Sequence, residues 1–423
     1  MGTSIGAESK TVTKTATWRL PAWWPAWWPA RSWWWPESGA RSPIPALDGV
    51  RTLAVLLVMF FHAWWVMPER SALGVGATDQ PIYYLWTGVH LFFVLSGFLL
   101  FLPYARWIQA GRDRPSALLF YKRRFLRIVP AYWASLVILT LAGPKTGGSF
   151  LDTLAHAVFL QNLSEKTVYS INGVFWTMAV EVQFYAVLPL LALALYLLAR
   201  RVKMWPALAV FVAALVLISA ATVWLQSVPR LAANSLIYNV ALRPEALTYW
   251  INIFGFGIAC SMIYVAIQRN DQILSFFKDR WSKWSVERVA TWGFALAALF
   301  WLALTFIPAL HPTPWNDIGF GLTYALALLG ILLGRQLIRR PFEWRPVRFV
   351  GLISYSLYIW HLVIMRLAEP LLLAINATPR VGVGFLIECI VGIPVAYASY
   401  MLFERSFIAA RRRAHGTVNA PQA

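Results

Sequence analysis

Ten windows of this chain stay apolar for roughly 17–25 residues, the run an α-helix needs to cross a bilayer. They lie at about 47–67, 82–104, 129–143, 176–199, 205–226, 248–267, 290–309, 316–334, 350–370 and 382–404. The pattern predicts an all-α, polytopic membrane protein with about ten transmembrane helices. The third window is short, with Pro130 expected to limit its start. The stretch FLDTLAHAVFLQ at 150–161 is too short to cross and reads as re-entrant or interfacial.

Composition agrees with that pattern. The chain is 59% hydrophobic and 13% charged, where soluble proteins carry about a quarter charged residues. Mean hydropathy is +0.58. No cleavable leader is expected, because the first apolar run begins near residue 47 and polar, Pro/Trp-rich sequence precedes it. Cys260 and Cys389 both fall inside apolar runs, as small core residues do, and suggest neither a disulfide framework nor a thiolate metal site.

The net charge of +19 raises nucleic acid as a partner, and its distribution argues against it. An even number of spans puts both termini on one side. On that side fall 29 of the 37 Lys and Arg, against seven on the other, with Arg51 at the boundary. Cationic loops stay cytoplasmic, so both termini are expected in the cytoplasm of a multi-pass cell-membrane protein. The expected organisation is a disordered tail over 1–45, a membrane domain over 46–406 and a basic cytoplasmic tail over 407–423. The first tail, with WRLPAWWPAWWPARSWWWPES, holds eight of the 24 Trp. Its prolines prevent a regular helix, and its indoles suit membrane lipids at the inner leaflet.

Ionisable groups within spans are costly and mark functional sites. Six stand out: Arg51, His62, His90, Glu181, His361 and Glu388. Arg51 and His62 are eleven residues apart, about 16 Å along a helix and close to three turns, so they share a face. Glu181 has Thr177 and Tyr185 on its own face at i−4 and i+4. It reads either as a structural partner for an Arg or a His, or as a carboxylate that orients an imidazole for acyl transfer. His361 has Tyr358 on its face, and His90 reads as structural or as a rim residue. Lys122, Arg123, Arg124 and Arg127 crowd into six residues ahead of the third window. They serve equally as topology signals or as guanidinium donors to a phosphate-bearing ligand.

Several of these stretches match one known pattern. LDGVRTLAVLLVMFFH (Arg51, ten residues, His62), GVHLFFVLSGFLL, RRFLRIVPAYW, FWTMAVEVQFYAVLPLL and ISYSLYIWH follow in order over about 45–405. Together they resemble the acyltransferase family 3 of integral membrane proteins, which O-acylate carbohydrates and related hydroxylated molecules, including macrolide sugars. The second stretch is similar to the family's GVDLFFVLSGFLI, with His90 where Asp is usual, and Thr177 stands where Ser is common. No additional hydrolase-like domain is expected after the tenth span.

The resemblance implies an acyl-CoA donor, acetyl-CoA foremost, arriving from the cytosol. No bound cofactor and no metal are implied. The donor's phosphates would meet Arg123, Arg124, Arg127 and Lys122, with Arg51 beside them. Its thioester would reach toward His62, acting as general base or as transient acyl carrier. Glu181 joins Arg51 and His62 as a catalytic candidate. Ser96, Thr177, Tyr185, Tyr358 and His361 are further cavity candidates. The acceptor would be a hydroxyl of a carbohydrate, glycolipid or glycosylated metabolite, approaching from the outer side near Glu181. Two other classes stay open: a transporter or flippase whose Arg, His and Glu form a relay, and a haem protein ligated by His62 and His361.

Overall fold

The computed structural model describes residues 44–66, 80–142, 149–228, 238–269, 285–307, 315–375 and 380–405. The expectations for the Trp-rich tail and for 407–423 lie outside the described residues. Regular structure among the described residues is entirely helical. The helices are α1 (Ala46–Val66), α2 (Gly88–Ala110), α3 (Ala117–Ala142), the short α4 (Phe150–Ala157), α5 (Phe175–Arg201), α6 (Met204–Gln226) and α7 (Leu247–Gln268). There follow α8 (Val286–Phe306), α9 (Trp315–Leu333), the short α10 (Gln336–Glu343) and α11 (Arg345–Leu352), α12 (Ser354–Ile375) and α13 (Arg380–Ser399). Ten of these elements are long and apolar enough to cross a membrane, which makes this a multi-pass helical membrane protein.

The centre of the bundle is the crossing of α2 and α7, the two most deeply buried spans. Glycines set their separation. A Cβ on Gly97 would run into the Phe254 carbonyl, and one on Gly257 into the Val94 carbonyl and the Gly97 Cα. In lipid, helices associate by close packing rather than by a hydrophobic drive, and small residues permit this backbone approach. Phe254 fills the space beside the crossing, stacked on Phe93 at 4.6 Å and on Phe184 of α5 at 3.9 Å.

α1 lies against α2, α12 and α13, and its first turns meet α10 and α11. Contact there is again backbone to backbone: Gly351 packs on the Asp48 carbonyl and Gly49 on Phe342. Where a single window over 350–370 was expected, there are two elements. α11 ends at Leu352 and α12 starts at Ser354, because α11 is carried on the surface of α1 rather than continuing the span.

The third span departs further from expectation. α3 runs unbroken from Ala117 to Ala142, through Pro130 and through the whole basic cluster. Proline removes an N–H from the ladder, but a buried bundle re-satisfies freed backbone groups from neighbouring helices. The carbonyl that loses its ladder donor is that of Leu126; beside it, the Tyr355 hydroxyl of α12 ties the same turn to the bundle by donating to the Ile128 carbonyl at 2.8 Å. The basic residues are therefore part of a spanning helix and not a segment ahead of one.

Between α4 and α5 the chain is irregular yet buried. Gln161, Asn162 and Asn172 are almost fully covered, and each donates to a main-chain carbonyl: Phe175 at 2.8 Å, Glu245 at 2.9 Å and Ile359 at 3.1 Å. Amide side chains thus do for this segment what a helix ladder does elsewhere. Phe159 takes a φ of 59°, rare for a residue with a Cβ, and its ring is held by stacking on Tyr132 at 4.4 Å.

Candidate functional site

Most of the polar side chains singled out from the sequence, His90 and Glu388 excepted, fall along one interior line. It begins where α1 begins. The Arg51 guanidinium donates to Asp48, one turn back, at 3.1 Å, and Arg348 of α11 approaches the other oxygen of Asp48 at 3.7 Å. Arg124 and Arg127 of α3 and Glu181 of α5 all lie within electrostatic reach of Arg51. Arg123, Arg124 and Arg127 are partly buried, and Lys122 is exposed. Three guanidinium groups from α1 and α3 therefore converge on one end of the bundle.

Glu181 forms the middle of the line. It accepts from Ser96 of α2 at 2.6 Å, and Tyr185, one turn along α5, lies within its electrostatic reach. One turn in the other direction, Thr177 donates to the Val174 carbonyl at 2.8 Å, and its oxygen lies 2.9 Å from the Tyr358 hydroxyl of α12. With the threonine proton on the main chain, the tyrosine is the donor of that second bond.

Tyr358 leads to the histidines. Its ring lies 5.5 Å from that of His361. His361 is fully buried, with Nδ1 2.7 Å from the Tyr358 carbonyl. Its Nε2 lies 3.2 Å from Nδ1 of His62, which also lies 2.9 Å from the Val58 carbonyl. His62 itself is partly buried, and its Nε2 makes no hydrogen bond among the described residues.

The line therefore joins Arg51, His62, Glu181, Ser96, Thr177, Tyr185, Tyr358, His361, Arg124 and Arg127, and leaves Lys122 at its margin. In one respect the arrangement differs from the sequence reading. The possibility that Glu181 orients an imidazole is not realised: its bond goes to Ser96, and the His62 ring is set by Val58 and His361. The i,i+4 pattern placed Glu181 correctly on a face with Tyr185, but periodicity does not say which helix that face meets.

Sequence reasoning missed Asp48 and Asp317. Asp48, three residues before Arg51, had the i,i+3 spacing of an ion pair as its signal. Asp317 lies in the first turn of α9 and receives His90 Nε2 at 3.0 Å and the Tyr249 hydroxyl. No spacing in the sequence couples residues 227 positions apart. His90 is thus partnered, in a ring of Trp86, Trp250 and Phe320. Glu388 is buried on α13, with no hydrogen-bond partner for either oxygen among the described residues. Cys260 and Cys389 are free thiols.

A ten-span helical bundle with a buried Arg–Glu–His line defines the class, a membrane protein with an intramembrane polar site. The chain belongs to the acyltransferase family: the model described as an acyltransferase domain (Acyl_transf_3) matches residues 44–403, so the described bundle is a membrane O-acyltransferase domain. Similar proteins include the peptidoglycan O-acetyltransferase OatA of Listeria monocytogenes, 24% identical over 79% of this chain and 51% of OatA. Nodulation protein 10 of Rhizobium leguminosarum is 26% identical over 75% of this chain and 82% of that protein. The acyltransferase MdmB of Streptomyces mycarofaciens is 25% identical over 78% and 81% respectively. The chain thus spans about half the length of OatA and most of the other two. No solved structure matches.

Proposed function

We propose that this chain moves an acyl group, acetyl foremost, from acyl-CoA to a hydroxyl of a carbohydrate, glycolipid or glycosylated metabolite. The chain would sit in the cell membrane with both termini cytoplasmic. The observation that carries the reading is the continuous polar line from three convergent guanidinium groups to the His62–His361 pair. A CoA thioester needs those two features in that order. Its phosphates need bidentate cations where they can be hydrated, and its carbonyl needs a base in a site that excludes water.

In this reading Arg51, Arg124 and Arg127 hold the donor phosphates, with Arg123 and Lys122 adding to the field at the entrance. The thioester extends inward toward His62. The acceptor oxygen attacks the thioester carbonyl as His62 takes its proton; the C–S bond breaks, and the proton passes to the CoA thiolate. In the covalent variant His62 itself accepts the acyl group and then yields it to the hydroxyl, with the same balance. Glu181, held by Ser96, supplies the negative charge that offsets the three cations between donor and base. The names of relatives that act on peptidoglycan support a saccharide acceptor.

The test uses the full chain purified into nanodiscs with radiolabelled acetyl-CoA and a panel of muropeptides, glycolipids and macrolide glycosides. Label should appear on at least one acceptor class, and His62→Ala should abolish it. Turnover no greater than that of the His62→Ala control across the whole panel would remove the proposal.

A further inference from the structure

The hydrogen bonds around the two histidines fix more than their positions. A main-chain carbonyl only accepts. Nδ1 of His361, 2.7 Å from the Tyr358 carbonyl, must therefore carry a proton. Nδ1 of His62, 2.9 Å from the Val58 carbonyl, must carry one too. The contact between the rings then has a single consistent reading. His361 Nε2, 3.2 Å from His62 Nδ1, is the bare nitrogen of a neutral ring and shares the His62 Nδ1 proton with Val58. Were His361 doubly protonated, two N–H groups would point at each other. Were His62 protonated on Nε2 alone, its Nδ1 lone pair would face the Val58 oxygen. With His62 neutral, the form a base or acyl carrier needs, only one assignment satisfies all three contacts, and it leaves Nε2 of His62 unprotonated and free of partners among the described residues.

We infer that His361 is a positioning residue whose Nε2, together with the Val58 carbonyl, holds His62 as the Nδ1–H tautomer and fixes its ring, so that Nε2 of His62 is the nitrogen that meets the substrate. This rests on His62 being the base or acyl carrier, and it applies to both variants. As base, Nε2 takes the proton of the acceptor hydroxyl and returns it to the CoA thiolate. Nδ1 cannot share that traffic, because both groups it faces are acceptors. As acyl carrier, Nε2 forms and later releases the bond to the acyl carbon. In either case positive charge develops on the ring, and the carbonyl and the His361 lone pair both lie where the Nδ1–H dipole strengthens. The device needs only two helices. Each ring is tethered to its own helix by a carbonyl one turn back, and for His62 that carbonyl and the interhelical contact together favour the Nδ1–H tautomer.

Two measurements decide it. The first is ¹⁵N NMR of histidine-labelled protein in nanodiscs, assigned with the His62→Gln variant, at a pH where His62 is neutral. Nδ1 of His62 should show the protonated signature and Nε2 the bare one; the reverse pattern overturns the inference whatever the enzyme's substrate. The second is a pair of substitutions. His361→Gln puts an amide oxygen where Nε2 lay and should keep kcat for acetyl transfer within about fivefold. His361→Leu offers no acceptor and should lower kcat on the order of 10²-fold, the scale of a lost general-base alignment, with KM for acetyl-CoA unchanged. Equal losses in the two variants would make His361 merely structural, and full activity of His361→Leu would make it dispensable; both overturn the positioning role. If the wild-type chain transfers no acyl group at all, the acyltransfer reading fails while the NMR result still decides the tautomer.

Discussion

The two ends of the polar line are built on opposite principles. The cationic end is assembled from distant parts of the chain: Arg51 and Asp48 from α1, Arg124 and Arg127 from α3, Arg348 from α11. Each guanidinium depends on its neighbours for its place. The histidine end is nearly self-contained, since Val58 and Tyr358 orient the rings from their own helices and one contact joins them. Recognition of a flexible polyanion tolerates a distributed, mobile set of donors. Proton or acyl transfer requires an orientation fixed within a fraction of an ångström. Substitutions should therefore act all-or-none at one end and by degrees at the other.

That contrast can be broken or sharpened by experiment. The largest effect is expected from His62→Ala, a loss of kcat between about 10²- and 10⁴-fold with the thermal unfolding midpoint little changed. A midpoint that collapses together with activity would assign His62 to folding instead. Next, Asp48→Asn leaves Arg51 and Arg348 without their shared carboxylate. Breaking a largely buried ion pair costs about 3 kcal/mol, which should appear as a lower unfolding midpoint and a raised KM for acetyl-CoA.

The double change Arg124→Ala with Arg127→Ala should raise KM for acetyl-CoA roughly tenfold, two charge-assisted contacts being lost, while kcat stays within about threefold. The exposed Lys122→Ala should move KM by less than about twofold by the same reasoning on screening. A kcat loss in the double variant would merge the two ends into one functional unit. A modest effect, between those of the double variant and of Lys122→Ala, belongs to the link between them. Thr177→Val removes the oxygen that accepts from Tyr358 and should cost about 1 kcal/mol, a roughly fivefold lower kcat/KM, with Thr177→Ser restoring it.

Much of this was legible in the sequence, unevenly and for physical reasons. The spans came from hydrophobic run length, which depends only on local composition, and all ten windows correspond to long apolar helices. The Arg51–His62 register follows from helix geometry alone. What could not be read was everything decided between helices. Pro130 signalled a boundary, but a tyrosine 225 residues later shares its turn. Gly351 looked like the start of a span and is the contact that lays α11 on α1. Glu181 was visible as a costly charge and Ser96 as a cavity candidate, whereas the bond between them joins α2 to α5 and no spacing reveals it. His361 was found as a polar intrusion, and its pairing with His62 required two faces to be brought together.

The glycine crossing of α2 and α7 carries a consequence for how such a bundle can move. Ser96, the hydroxyl that holds Glu181, is the immediate neighbour of Gly97, whose backbone rests on that of α7. The midpoint of the polar line is thus mounted beside a backbone-to-backbone contact, with no side-chain cushion to compress. Like the bearing of a balance, such a contact resists shifting while the arms are loaded. Under the proposed reaction, a rearrangement that admits a nucleotide-sized donor at one end or a hydroxyl at the other would turn around that point.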